Sequence, residues 1–501
     1  PYVAANRLIE PIDLASLGYV EEEYVVSGNA NVYDWATSGA LTVKVPQVPY
    51  ATRILVRRPA SAARFSGNAI VEVMHAPFGQ DFGVIWGWSY QGMVERGDAW
   101  VGVTSFPAAV VALKKFDPQR YASISWASPR PAEQCAAPPP GIPGRPLVAF
   151  NNSPAMEDGL RWDMFSQIGA LLKSTVPTRP LAGLPLRHLF MTAQDTIILT
   201  YINAIHAHAT LPGGQPVYDG YLVKGYVRPA RIRRCAPELA AGDPRIIIRN
   251  VGVPVIHLQM EGDFPASAES RREDSDDPKD RFRLYEIPGT AHFDSEPYRK
   301  GFPQLKDMSN AGYDLTFRTF PPDLLGHTFL RPFPEPGMAR CVPEVTQEQP
   351  ILGYVIQNAF ALLADWVDKG VAPPRTERLR MDGTGAQARV TTDAHGNGVG
   401  GYRTPYVDVP FATYHMHHDG TAPLCRQFGW EERFDWARLQ STYGSFKAYA
   451  AKVEAAVAQA VSDRRLTAST AARVKQDMLG IVPAPARSSE PRTAAAGSPS
   501  R

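Results

Sequence analysis

The stretch Pro185-Leu-Arg-His-Leu-Phe-Met-Thr-Ala-Gln-Asp-Thr-Ile-Ile-Leu-Thr-Tyr-Ile-Asn-Ala-Ile-His206 decides how this chain folds. It reads as a short buried strand, Leu186 to Met191, then a tight turn and a helix. Ile197, Ile198, Tyr201, Ile202 and Ile205 recur at helical spacing on one face. A sharp strand-turn-helix lifts one side chain to the carboxyl edge of a parallel sheet, against the amino end of the helix. A nucleophile between glycines is the usual occupant. Here the turn reads Met191-Thr-Ala-Gln-Asp195, with Ala193 at its centre and no glycine beside it.

Upstream, Tyr19–Val26, Leu41–Val45 and Thr52–Arg57 alternate apolar with polar, which predicts an antiparallel sheet edge with one wet face. Ala69–Met74 is more continuously apolar and reads as an interior strand. A helix through Trp86 to Arg96 follows, capped at Gly97, and then the buried strand Ala99–Ser105. Strand, helix, strand is the βαβ unit of a parallel sheet. Asp158 to Lys173 is an amphipathic helix leading into the opening stretch. Beyond it the sheet resumes at Val253–Gln259 and Arg281–Glu286, and Ile351–Lys369 predicts a long helix.

The pattern predicts an α/β fold in one domain over residues 1–480: a mostly parallel sheet with helices on both faces. Insertions are expected at about 106–155, 207–250 and 300–350, the second roofing the site. A C-terminal extension covers about 376–480, and the Ala/Pro/Ser/Arg tail 483–501 is low-complexity. The basic run Arg228 to Arg234 is expected to be a solvated face.

With 52 Lys and Arg against 50 Asp and Glu the chain carries no polyanion signal, and no apolar run reaches membrane-span length. Neither nucleic acid nor a membrane is an expected partner; the oligomeric state is left open. The 46 prolines, about 9% against a usual ~5%, gather in loops. Cys135, Cys235, Cys341 and Cys425 form no C-x-x-C pair, and their even number allows one or two disulfides. Opening at Pro1 is consistent with a removed signal peptide or a trimmed chain. Both features favour a secreted or periplasmic protein.

Acyl transfer needs a nucleophile, an imidazole base, an acid that fixes the imidazole's tautomer, and N–H donors for the oxyanion. Two carboxylates follow the strand Val253–Gln259 in Met260-Glu-Gly-Asp-Phe264. Asp263 has the expected spacing and Glu261 stays an alternative. The strand Arg281–Glu286 leads into Ile287-Pro-Gly-Thr-Ala-His-Phe293, which offers His292 as base. The order turn, acid, His is that of the α/β-hydrolase fold. Oxyanion donors would be the Gln194 N–H and that of Ala76 or Phe78, since Pro77 has none. His415-Met-His-His418 and His206-Ala-His208 lack acid or Cys partners at ligand spacing, so no metal or other cofactor is expected. His206 is expected to pack or hydrogen-bond at the end of its helix. Gly396–Gly401 reads as a structural loop, and Trp86, Trp88 and Trp162 as core.

Asp158-Gly-Leu-Arg-Trp-Asp-Met-Phe-Ser-Gln167, Gln194 before Thr200–His206, Val253–Asp263 and Tyr285–His292 stand in one order. They are followed by Trp366–Pro374 and Asp393–Pro405. Together these motifs resemble the large "alpha/beta hydrolase domain" family of mostly bacterial, often exported proteins, over about 15–475. The resemblance implies hydrolysis of small carboxylic esters through an acyl-enzyme, with a Ser-Gln elbow whose Ser matches Ala193. Anchoring on Tyr201 puts Thr192 in that slot instead. Three readings follow: a Ser deliberately replaced by Ala193, leaving an inactive esterase; a natural pseudoenzyme that binds small ligands in the same pocket; and Thr192 as a slower nucleophile.

Overall fold

A 17-residue strand, β1 (Tyr19–Trp35), pairs antiparallel with the 19-residue β2 (Leu41–Pro59) at one edge of the sheet. This is seen in a computed structural model describing residues 1–76, 79–135, 153–194, 196–225, 229–240, 242–312, 350–419 and 427–481. Leu41–Val45 and Thr52–Arg57, read separately in the sequence, are two ends of the one strand β2. β3 (Asn68–Val73), β4 (Ala99–Val103), β5 (His188–Gln194), β6 (Gly220–Lys224), β7 (Val255–Met260) and β8 (Phe282–Ile287) complete an eight-stranded sheet. Its order is β1-β2-β4-β3-β5-β6-β7-β8, with β2 antiparallel to β4 and every later pairing parallel.

The helices in chain order are α1 (Val84–Arg96), α2 (Pro107–Phe116), α3 (Arg161–Lys173), α4 (Thr196–Thr200, continuing as a π-helical turn through Ile205), α5 (Glu296–Gly301), α6 (Leu305–Asn310) and α7 (Ile351–Lys369). They cover both faces of the sheet. Ile70, Phe190, Leu222 and Ile256 pack with α1 and α7 in one apolar cluster. Val71, Leu189, Met191, Ala193 and Val223 pack with α3 and α4 in another. Successive strand residues point to opposite faces, so Phe190 and Leu222 mark the α1 side and Met191, Ala193 and Val223 the α3 side.

Two expectations about the strands are corrected. The segment 207–250 is not solely an insertion, because it contains β6, a fully buried strand between β5 and β7. Its five residues are too few for a periodic signal, although Tyr221-Leu-Val223 is β-type. The first strand of the opening stretch runs past Met191 to Gln194. Thr192 and Ala193 pair with Glu72 and Val73 on one side, and Thr192, Ala193 and Gln194 with Leu222, Val223 and Lys224 on the other.

The described part of 207–250 is tied down by charge and sulfur. Cys135 and Cys235 form a disulfide across a sequence separation of 100. Beside it Arg233 pairs with Asp34 and Glu133, and Arg234 donates to the carbonyls of Arg130 and Glu133. These two arginines are buried cross-links, not a solvated face. Replacing both cysteines by Ser is expected to cost about 2–4 kcal/mol in chemical denaturation, since the bond closes a long loop. An unchanged midpoint would show that the arginine pairs alone hold this region. Cys341, Cys425 and the tail 483–501 lie outside the described residues.

The C-terminal extension ends in helices over 436–443, 446–462 and 468–481. Their apolar faces share a cluster with Ile351 and Tyr354 of α7, which ties the extension to the main sheet. A cavity of about 390 Å³ lies here, lined by Asp393, His395, Arg403, Tyr443 and Lys452, and by none of the candidate site residues.

Candidate active site

Strands β7 and β8 each release a loop at the carboxyl edge, and the two loops are laced together residue by residue. Glu261 Oε2 accepts the Gly289 N–H at 2.7 Å, and the Gly262 N–H donates to Thr290 O at 3.0 Å. Asp263 Oδ1 lies 2.8 Å from His292 Nδ1. Gly262 is required by this closeness: a Cβ there would stand 3.0 Å from Ala291 Cα and 3.2 Å from His292 N. The sequence left two acids open. The fold brings Asp263 to the imidazole and sends Glu261 to the backbone below it. With the Nδ1 proton directed at Asp263, His292 Nε2 is an acceptor, and the Gln194 side-chain amide donates to it at 3.3 Å. Asp263 Oδ2 is buried with no hydrogen-bond partner among the described residues.

Glu261 packs against the Gly-rich loop of the extension, where a Cβ on Gly398 would fall 2.7 Å from its carboxylate. Gly401 (φ +75°) passes the β8 carbonyl of Glu286 just as closely. The loop is thus structural, and its glycines let the extension touch the strand ends. Burial pushes the Glu261 carboxyl up to about 7, against the pull of the Gly289 N–H. A carboxyl raised in this way holds its proton better folded than unfolded. Its contribution is full below the unfolded value of 4.5 and is lost as pH rises through about 7. Glu261→Gln is therefore expected to gain Tm relative to the parent as pH goes from about 5 to about 8. A difference constant across that range would contradict a buried neutral acid.

The other sequence candidates are placed as follows. Ala193 is a strand residue, 1% exposed, turned to the α3 side of the sheet, whereas Gln194 faces His292. β5 ends at Gln194 and α4 begins at Thr196, so the connection is position 195, an Asp in the sequence that lies outside the described residues. Thr192 is fully buried and its hydroxyl donates to Leu222 O at 2.9 Å. Ala76 is buried in the loop after β3, its carbonyl taking the Gly79 N–H at 3.1 Å, and Phe78 is outside the described residues. His206 bridges Tyr221 Oη (2.6 Å) and Val251 O (2.8 Å) behind the helix. His415 stacks on Trp430 and meets Glu432.

Sequence reasoning missed Lys224 and Asp294 beside the His292 loop, and it read Trp88, which meets Asp294 there, as core. Lys224, the last residue of β6, is fully buried and donates from Nζ to His292 O at 2.7 Å. Trp88 of α1 donates from Nε1 to Asp294 Oδ1 at 2.8 Å. Burial pushes Asp294 up to about 7 while Trp88 and Lys224 pull it down. A lysine closing the apolar run Tyr221-Leu-Val223 was the available signal, since an unpaired lysine is almost never fully buried.

A parallel sheet with an acid and a histidine on successive strand ends defines the α/β-hydrolase class. The chain belongs to the alpha/beta hydrolase domain family, whose match spans residues 1–476. No curated protein is similar to it in sequence at a significant level. Among solved structures it is similar to a protein of Klebsiella pneumoniae subsp. pneumoniae assigned as a dienelactone hydrolase, at 10% identity and TM-score 0.29, over 58% of this chain and 95% of that one. It is also similar to the esterase Est22 (12%, TM-score 0.24, 50% and 68%) and to an esterase domain from Rhodothermus marinus (10%, TM-score 0.22, 53% and 87%).

Proposed function

We propose that the chain is built as a hydrolase of small carboxylic esters, with His292 as general base and Asp263 as the acid that orients it. The observation that carries this is the 2.8 Å contact of Asp263 with His292 Nδ1, which leaves Nε2 facing the end of β5. That is the posture of a base about to take a proton from a group at the strand-helix turn. The position for that group is 195 and not 193, because β5 extends to Gln194 and Ala193 points to the other face. Asp195 supplies no hydroxyl, and that of Thr192 is committed to Leu222. Ester hydrolysis by the serine route is accordingly impaired. The oxyanion donor that follows the nucleophile becomes the N–H of residue 196. The Cys135–Cys235 disulfide supports a secreted or periplasmic setting.

The experiment compares the parent, Ala193→Ser and Asp195→Ser on short nitrophenyl esters. Activity in Asp195→Ser alone supports this reading, and activity in Ala193→Ser alone would return the nucleophile to 193. Turnover by the parent that Asp195→Asn abolishes would make the carboxylate itself the nucleophile, attacking the ester carbonyl and expelling nitrophenolate to leave a mixed acyl anhydride for water to hydrolyse. Should every variant stay folded and inert, the second reading takes over: a binding protein for small ligands. The committed Thr192 hydroxyl favours that reading.

A further inference from the structure

Lys224 has features that ester chemistry at the turn leaves unexplained. It is 0% exposed at the carboxyl end of β6, in register with Gln194 of β5. Its Nζ donates to the backbone carbonyl of His292 and sits 4.7 Å from the Trp88 ring centroid and 5.0 Å from that of Phe293. The His292 ring meets Phe293 edge-on at 4.7 Å. One ammonium therefore holds the main chain of the proposed base and the aromatic ring on which its imidazole rests. Burying a cation is costly, and the fold has surrounded this one with π faces and a carbonyl at the end of a strand that otherwise carries Gly, Tyr, Leu and Val.

We propose that Lys224 is a positioning residue for His292, fixing the histidine loop through its carbonyl and keeping a positive charge next to the imidazole that favours the neutral, proton-accepting form. Resting on the reading of His292 as base, it adds how that base is kept ready. A cation disfavours a second positive charge nearby, whereas Asp263 on Nδ1 favours it. Lys224 thus offsets the acid that orients the ring. The other described titratable groups around the loop are Glu261 from the β7 loop, Asp294 and Glu296 on its own continuation, and His75, whose ring faces Phe293 at 6.4 Å. Asp294, hydrogen-bonded to Trp88 and to the Glu296 N–H, interacts electrostatically with Lys224.

The test is an NMR titration of His292 in isotopically labelled protein, its resonance assigned by its loss in His292→Asn. Lys224→Gln is expected to raise the His292 pKa by about 1 unit, and Lys224→Arg, which keeps charge and donor, to restore it. An unchanged titration in a folded Lys224→Gln protein overturns the inference. Lys224→Met, uncharged and of similar volume, gives the same readout if the Gln variant does not fold. If neither folds while Lys224→Arg does, the lysine is structural only and the inference falls. The titration needs no turnover. A shifted pKa together with a folded Asp195→Ser protein that stays inert on esters would uphold the coupling and sink the esterase reading, and the reverse result would do the opposite. In active Asp195→Ser protein, Lys224→Gln should move the acid limb of kcat/KM to higher pH by the same amount.

Discussion

With a serine at position 195, replacing His292 by Ala is expected to lower kcat on nitrophenyl esters by about 10⁴- to 10⁶-fold. The imidazole takes the hydroxyl proton and later returns it, so its loss removes both steps. In the same background Asp263→Asn is expected to cost about 10⁴-fold. An amide at 2.8 Å donates to Nδ1 instead of accepting from it, which turns the wrong ring nitrogen towards the substrate. Glu261→Gln keeps an acceptor for the Gly289 N–H and should leave kcat within about tenfold. The contrast between two carboxyls separated by one residue makes the assay informative. Equal losses at 261 and 263 would mean that the loop's fold, and not a proton path, had been measured. Activity surviving His292→Ala would show that the base lies elsewhere.

The largest stability effect is expected at Glu72, far back in the sheet. Helix α1 begins after Gly83, which has no side chain to cap it. Glu72 of β3 supplies the missing acceptors: Oε1 takes the Ile85 N–H and Oε2 the Trp86 N–H, each at 2.8 Å, and Oε2 also takes the Trp100 indole at 2.7 Å. The Arg57 guanidinium lies 4.6 Å from both Trp86 and Trp100 and leans on Glu72 electrostatically. Burial raises the Glu72 carboxyl to about 7, with the three donors working against that shift. Glu72→Ala would orphan three buried donors and deprive a fully buried arginine of a counter-charge. The expected cost is about 3–5 kcal/mol in urea unfolding, with Glu72→Gln retaining part of it. A loss below about 1 kcal/mol would mean that the α1 terminus finds other acceptors.

Much of this was legible in the chain. Asp263 and His292 each follow a strand whose apolar run is visible, and their order after the strand-turn-helix is enough to name the fold class. The choice between Asp263 and Glu261 was not legible, because both follow the same strand. It was made by Gly262, whose missing side chain lets the β7 loop lie on Ala291 and His292. The register of the turn was not legible either. Local pattern ends the strand at Met191, but ladder partners on β3 and β6 carry it to Gln194.

The sequence by itself determined that a parallel sheet would form, that an acid and a histidine would emerge from adjacent strand ends, and that no serine waits at the turn. These follow from periodicity and residue identity, which are local. Only the tertiary structure decided which face of β5 each side chain takes, which carboxyl meets the imidazole, and that Lys224 is buried against the main chain of His292. A strand's extent and a side chain's burial depend on neighbours brought from far along the chain, and a five-residue strand such as β6 is defined almost wholly by the strands on either side. The opening stretch keeps its place as the centre of the fold, with the proposed position for the nucleophile moved two residues along it, from 193 to 195.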